Sequence, residues 1–461
     1  ETPMLLFKRT QPSRTTACDL PAHPRNLLIM SDLTLTPFDH PFDRTITPPG
    51  SKSLTNRALV IAALANGVSE LRNVLFADDT QICVDSLQRL GFVIEIEPDW
   101  KTLRVHGRGG EIPASKGELF CGNSGTTIRF ITALCSLGRG SYVLDGVERM
   151  RQRPIGTLVD LLRHLGGRIE YLGQAGFPPI RVHADTLPGG LLKYGAVQSS
   201  QYLSAILMAS PYTRHEVKID LEPNQTSWPY AVMTMRLMDH FYHTPELIRD
   251  PDTHEPKQII VPKGAYKATE YDVEPDASNA SYFLAAAALH SGSKVTIQNL
   301  GKDSLQGDVG FADVLHKMGA DLVFGKDFIT VVGTDRLEGI EMNLADMPDT
   351  AQTLAVVALF AEGQTIIHGL HTLKVKETDR LAALQTELTK FGAKVEIESG
   401  DTLIINPPAY SKPAVVDTYD DHRMAMSFAL VGTKIPGVTI RDTECTRKTY
   451  PNFFEDLARL R

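Results

Sequence analysis

The sequence predicts an α/β protein built as two domains of three like units each. Three observations carry this. A buried-helix pattern recurs six times at nearly constant spacing, a short β-rich run follows every copy, and a polar cluster opens every copy. Internal repetition of this kind sets an architecture before any motif does.

Bulk composition is consistent with a globular chain. Of 461 residues, 42% are hydrophobic and 22% charged, ordinary values for a folded protein and enough chain to bury a core without staples. Net charge is -8, so no broad basic face offers itself to nucleic acid, and an anionic ligand has to be met by local Lys and Arg clusters. The five cysteines (Cys18, Cys83, Cys121, Cys135 and Cys445) are odd in number and contain no CxxC spacing. That argues against a disulfide framework or a structural zinc site and suits a reducing compartment. No apolar run approaches a membrane span. Residues 1–30 carry Lys8, Arg9, Arg14 and Arg25 among Ser, Thr and Pro, with no helical or strand period. They read as an extension, with organelle targeting as the alternative to a cytoplasmic protein.

The six buried-helix segments are 56–67 (NRALVIAALANG), 126–138 (TTIRFITALCSLG), 201–210 (QYLSAILMAS), 279–292 (NASYFLAAAALHSG), 351–363 (AQTLAVVALFAEG) and 422–432 (HRMAMSFALVG). Small and apolar residues on nearly every face predict burial, and a Gly at or near most ends predicts a stop. The β-rich runs after them are SELRNV, SYVLDGV, HEVKIDL, KVTIQNL, TIIHGL and VTIRDT. A second, amphipathic helix follows, as in TQICVDSLQRLG, IGTLVDLLRHLG, FADVLHKMG and LAALQTELTKFG. Alternating strands such as FVIEIE, RIEYL and KVEIE come next. The last unit ends in NFFEDLARLR with no strand after it, whereas LTLTPF and RTITPP precede any helix. The opening strands are therefore expected to complete the final unit. This gives an N-terminal domain of residues 51–273 and a C-terminal domain of residues 31–50 plus 274–461.

The polar clusters at the helix starts are Gly50-Ser51-Lys52-Ser53, Gly122-Asn123-Ser124-Gly125-Thr126, Ser199-Ser200-Gln201, Asp276-Ala277-Ser278-Asn279, Pro348-Asp349-Thr350 and Asp420-Asp421-His422-Arg423. Capping accounts for the Asp276 cluster. It does not account for Lys52, Arg57, Arg129 and Arg423, because a cation at a helix N-terminus opposes the macrodipole unless an anion is bound there. Further cations lie at matched turns before the second helices: Arg149-Met150-Arg151-Gln152-Arg153-Pro154, Lys374-Val375-Lys376-Glu377-Thr378-Asp379-Arg380 and Arg447-Lys448. Asp349 and Glu377 stand beside these cations, where a carboxylate is either held ionised or poised for proton transfer. Two halves facing each other would focus positive potential on one cleft.

These clusters resemble the ordered signatures of the EPSP synthase family of enolpyruvyl transferases. The match takes in Gly50 to Arg57, Gly122 to Thr126 with Arg129, Arg149-Met150 with Arg153-Pro154, Ser199 to Gln201, Val375 to Arg380, Asp421 to Met424 and Cys445 to Thr449. The resemblance implies a two-domain inside-out α/β barrel, each domain three βαβαββ units with buried helices. It implies transfer of the enolpyruvyl group of phosphoenolpyruvate to the 5-hydroxyl of shikimate 3-phosphate by addition and elimination, in aromatic amino acid biosynthesis. By the same resemblance Asp349, Glu377 and Lys52 are catalytic. Shikimate 3-phosphate is expected on Lys52, Ser53, Arg57, Ser199, Ser200, Gln201, Ser227, Tyr230, Asp349, Thr372 and Lys376. Phosphoenolpyruvate is expected on Lys52, Asn123, Gly125, Thr126, Arg149, Gln201, Arg380, His422, Arg423 and Lys448. No metal or cofactor is expected, nor a nucleic-acid or membrane partner. A monomer inhibited by glyphosate is.

The chain departs from the family pattern in three places. Phe130 stands where many members have Pro, Ser124 where Ala is common and Thr372 where Asn is frequent. The first two bear on glyphosate sensitivity and the third on one substrate contact. Residues 240–262 match less clearly. Two rival readings are a UDP-N-acetylglucosamine enolpyruvyl transferase, against which Ser53 and the different signature around Cys121 count, and a non-catalytic anion-binding module.

Overall fold

A computed structural model describes residues 32–98, 101–195 and 199–461; the extension of residues 1–30 lies outside the described residues. The helices in chain order are α1 (Lys52–Leu64), α2 (Asp78–Arg89), α3 (Gly125–Ser136), α4 (Gly156–His164), α5 (Gln201–Ala209), α6 (Trp228–His240), α7 (Ala277–Leu289), α8 (Phe311–Lys317), α9 (Ala351–Val357), α10 (Arg380–Lys390), α11 (His422–Gly432) and α12 (Phe453–Ala458). The odd-numbered six are the repeated segments. Every residue of α3, α7, α9 and α11 is buried, as their all-round apolar composition requires. The even-numbered helices are the amphipathic outer layer, including α6, whose Trp, Pro and Met content hid its period.

Each unit contributes one sheet. In the second, the strand Lys116–Phe120 leads through α3 to Arg139–Asp145, then through α4 to the antiparallel pair Arg168–Tyr171 and Ile180–Asp185. The first two strands pair in parallel and the fourth lies between the second and third. Among the described residues four other units repeat this order, and the last has three strands, with Thr439–Arg441 between Val415–Val416 and Asp32–Thr34. The fold is therefore a two-domain α/β architecture of βαβαββ units, the last one a strand short. Residues 240–262 supply the strand pair of the third unit, Glu246–Arg249 against Pro256–Val261.

Chain order and unit order are offset at the ends. The first unit takes its opening strand, Glu270–Asp272, from the far end of its half. Asp32–Thr34 pairs with Thr439–Arg441 and completes the last unit, as expected. Asp43–Ile46 does not: it pairs in parallel with Lys294–Gln298 and opens the fourth unit. Between the two, Phe38 and Phe42 stack edge to face at 5.4 Å and both pack on His290 at the end of α7. That apolar link carries the chain from one sheet to the next.

Two separate cores result, one spanning Leu54 to Val273 and the other joining Phe42 to Ala277–Leu460. The chain crosses between them twice, side by side. Gly50 bridges Pro275, the Ser51 N–H donates to the Glu274 carbonyl at 2.8 Å and the Asp276 N–H to the Pro49 carbonyl at 2.9 Å. Gly50 is required there, since a Cβ would lie 1.8 Å from the Asn73 carbonyl oxygen.

Candidate active site

The starts of the buried helices meet between the halves. Ser51 caps α1 and Ser124 caps α3. Asp421 caps α11 through the Arg423 N–H at 2.9 Å. Asp276 caps α7 through the Asn279 N–H at 2.8 Å and with its other oxygen accepts the Lys52 N–H of α1 at 3.1 Å. The capping expectation for Asp276 therefore holds, with one carboxylate serving a helix in each half.

A cavity at this junction is lined by Lys52, Ser53, Arg57, Gly125, Thr126, Ser199, Ser200, Gln201, Ser227, Tyr230, Asp349, Thr372, Lys376, Glu377, Arg380 and Arg423, all of them sequence candidates. Asp79, Arg153 and Pro348 line it as well. Asp79 opens an outer helix, where an acid is ordinary, so the sequence shows the carboxylate of the Asp78-Asp79 pair without assigning it a role. Arg153 lies in the arginine run of the second unit, which pointed to the turn and not to this side chain.

Four candidates stand behind the wall. The Lys448 amine donates to the Asn123 carbonyl at 2.8 Å and lies 3.2 Å from Glu377. The Asn123 side chain accepts Arg153 at 3.1 Å. Arg149 spends its guanidinium on main-chain carbonyls of the other half, those of Glu377 at 3.0 Å and Lys376 at 2.9 Å. His422 is fully buried, and neither ring nitrogen has a hydrogen-bond partner among the described residues.

The helix-start cations do not lack counter-charge. Lys52 pairs with Asp79 at 3.3 Å. Asp349 gathers Arg423 at 2.9 Å, Lys376 at 3.3 Å and Arg380 at 3.4 Å. Glu377 gathers Arg380 at 2.9 Å, Lys448 at 3.2 Å and Arg153 at 3.7 Å. Arg380 thus spans both carboxylates while its Nε binds Asp421 at 2.7 Å. Burial pushes both acids upward, but the cations outweigh it. Arg423, Lys376 and Arg380 hold Asp349, and Lys448, Arg153 and Arg380 hold Glu377, well below the usual carboxylate range. Burial, with Lys52 and Arg423 nearby, drives His422 well below the usual imidazole value and keeps it neutral.

Arg57 differs from these cations. Its guanidinium is buried against Thr234 Oγ1 at 2.8 Å, Ser204 Oγ at 3.0 Å, the Ser53 carbonyl at 2.9 Å and the Phe130 ring at 5.1 Å. With neutral partners and burial, its pKa falls to about 10. Phe130 therefore acts as a floor under Arg57, which a Pro there cannot be. Ser124 accepts the Thr127 N–H at 3.4 Å, a cap that Ala lacks. The Thr372 hydroxyl is buried at the cavity wall without a partner among the described residues, a donor left for a ligand. Gln201 is held from behind, by Arg129 at 2.5 Å and by its own donation to Thr126 at 3.1 Å.

A pair of charge-lined half-sites with two ionised carboxylates between them suits an acid–base reaction between two anions. Comparison with known proteins agrees. A family model described as EPSP synthase (3-phosphoshikimate 1-carboxyvinyltransferase) matches residues 39–457. The 3-phosphoshikimate 1-carboxyvinyltransferase of Trichormus variabilis is 43% identical over 426 residues, covering 92% of this chain and 98% of that protein. That of Vibrio vulnificus is 44% identical over 434 residues, covering 94% and 99%. The solved structure of EPSP synthase from Acinetobacter baumannii superposes with a TM-score of 0.75 at 26% identity, covering 93% of this chain and 98% of that one.

Proposed function

The chain belongs to the EPSP synthase family, and from that premise we propose that the cavity between its halves is where it joins its two substrates. The reaction is transfer of the enolpyruvyl group of phosphoenolpyruvate to shikimate 3-phosphate, with release of phosphate. One observation carries the assignment to this cavity: cations from four separate segments, Arg153, Lys376, Arg423 and Lys448, pair with the Asp349 and Glu377 carboxylates at one junction.

In this reading shikimate 3-phosphate takes the side formed by Ser53, Arg57, Ser199, Ser200, Ser227, Tyr230, Thr372 and Lys376. Phosphoenolpyruvate takes the side formed by Lys52, Gly125, Thr126, Arg380 and Arg423, with Asn123, His422 and Lys448 behind, and Gln201 serves both. Arg149 holds the Lys376–Glu377 segment against the first half. We take residues 51–273 as one domain and residues 31–50 plus 274–461 as the other, each with its own core. Both sides of the cavity come from one chain, which supports a working monomer. Glyphosate, with the same pairing of a carboxylate and a phosphorus oxyanion, would compete for the phosphoenolpyruvate side beside Gly125.

Chemistry follows from charge displacement. The substrate 5-hydroxyl adds to C2 of phosphoenolpyruvate as its proton passes to Asp349, and C3 accepts a proton from Glu377. The adduct then expels phosphate, which leaves with the proton that Asp349 held, and C3 gives its proton back to Glu377 as the methylene re-forms. Glu377 is ionised while Lys448, Arg153 and Arg380 face it alone. Anionic substrates draw those cations away and add negative charge, which raises its pKa toward a donor's value. Lys52 stabilises charge that develops in the tetrahedral adduct. Exclusion of water by the bound substrates strengthens each of these interactions.

The test is phosphate release from phosphoenolpyruvate that depends on shikimate 3-phosphate. Binding of both substrates without turnover supports the anion-binding module instead, and turnover with UDP-N-acetylglucosamine supports the other enolpyruvyl transferase.

A further inference from the structure

Asp308 lies outside the cavity wall and outside every motif that drew attention in the sequence. It sits in the turn Gly307–Gly310 that leads into α8, it is 4% exposed, and no Lys or Arg forms an ion pair with it among the described residues. Both of its oxygens accept the Tyr230 hydroxyl, at 3.0 and 3.2 Å. Ser278, in the first turn of α7, donates to it as well. Tyr230 belongs to α6 in the first half, so this hydrogen bond crosses between the halves.

A second observation concerns the same junction. A Cβ on Gly307 would lie 2.5 Å from Pro229 Cβ, the residue before Tyr230. The turn is therefore pressed onto the start of α6 as closely as a backbone allows. Tyr230 itself lines the cavity. Burial keeps its phenol protonated and therefore a donor. A hydroxyl bonded to a carboxylate is held more firmly than one bonded to a neutral group.

We propose that Asp308 is a positioning residue for the reaction: it fixes the Tyr230 hydroxyl at the cavity wall, and does so only while the Gly307–Gly310 turn of one half is seated on α6 of the other. The ordering of one substrate contact is thereby tied to the seating of the two halves. This rests on the reading of Tyr230 as a contact for shikimate 3-phosphate.

Electrostatics alone predicts the opposite sign, which makes the proposal testable. Asp308 is a negative charge near an anion site, beside Asp349, Asp276 and Arg423. If it acted only through charge, Asp308→Asn would tighten binding of shikimate 3-phosphate. Acting through Tyr230, the same change weakens it. Full-length Asp308→Asn, Tyr230→Phe and the double variant are assayed with both substrates, and the Kd for shikimate 3-phosphate is measured by calorimetry. Expected is a rise of about tenfold in KM and Kd for shikimate 3-phosphate in Asp308→Asn, the loss typical of a hydrogen bond to a charged group. The KM for phosphoenolpyruvate stays near wild type, and the double variant is no worse than Tyr230→Phe. An unchanged or lowered KM for shikimate 3-phosphate in Asp308→Asn, or additive losses in the double variant, overturns the proposal alone. A wild-type Tyr230→Phe overturns the placement of Tyr230 on the substrate, and this proposal with it. Gly307→Ala tests the seating should Asp308→Asn not fold. It is expected to raise the same KM in the wild-type background and not in Tyr230→Phe, and a Gly307→Ala enzyme with wild-type KM overturns the proposal.

Discussion

Arg380 Nη2 lies 2.9 Å from Glu377 Oε2, three residues apart on the chain and both buried. The pair is formed within one turn, but its meaning depends on Lys448 and Arg153, which reach the same carboxylate from elsewhere. An acid held by three cations is a poor proton donor until those cations are given something else to bind.

Glu377→Gln tests this in two ways. Turnover should fall by roughly 10²- to 10⁴-fold, the usual contribution of a general acid–base group. Assembly of the complex with both ligands should also take up fewer protons than in the wild type, because Glu377 begins ionised and gains a proton as its cations are diverted. Calorimetry in two buffers of different ionisation enthalpy gives the proton count, and equal counts in the two proteins would contradict the role.

Lys52→Met removes the α1 cation and leaves Asp79 with the more distant Lys448 at 3.7 Å. Turnover is expected to drop by roughly 10²-fold or more, as when a group that stabilises transition-state charge is removed. Circular dichroism should stay native. A near-normal rate would take Lys52 out of the chemistry.

Gly125→Ala places a Cβ 2.6 Å from Arg153 Nη2 and 2.8 Å from its Cζ. The guanidinium must shift away from Glu377 and Asn123. KM for phosphoenolpyruvate should rise by about tenfold, with a smaller change for shikimate 3-phosphate, since small misplacements in a positioned site are costly. Steady-state kinetics with each substrate varied in turn checks the asymmetry.

His290 links stability to pH. Burial in the Phe38–Phe42 cluster, with Lys434 adding to it, lowers its pKa from 6.5 to about 4. Below pH 6.5 the unfolded chain binds a proton there that the folded chain refuses, so stability falls as pH drops from 6.5 toward 4 and levels off below that. His290→Gln should flatten this limb. Urea unfolding at pH 7 and pH 5 measures it, and an unchanged pH difference in the variant would remove His290 as the cause.

Gly50→Ala forces a Cβ into the Asn73 carbonyl at the first crossing. A loss of about 1–3 kcal/mol is expected from overpacking of this kind. A urea midpoint equal to the wild type would show that the crossing relaxes freely.

Much of this was legible in the residues. Six segments of small and apolar residues with polar starts predict six buried helices because an apolar helix has nowhere else to go, and all six are present. The strand Asp43–Ile46 was misassigned because alternation says that a strand exists and not which edge it joins. Asp79 is visible as a carboxylate but carries no local sign of its role, and Asp308 looks like an ordinary acid at a helix start. Arg149 was expected on a ligand and is found on carbonyls of the other half, a partner that no local pattern announces.

By itself, the sequence determined which segments are helices, which starts carry charge and which family the motifs resemble, because these depend on residues a few positions apart. Tertiary structure alone decided which cation faces which carboxylate. Arg380 bridges Asp349 and Glu377, Lys448 reaches Asn123 and Tyr230 reaches Asp308. The last two pairings join residues far apart in the chain, and they exist only because two halves with separate cores are pressed together at their helix starts.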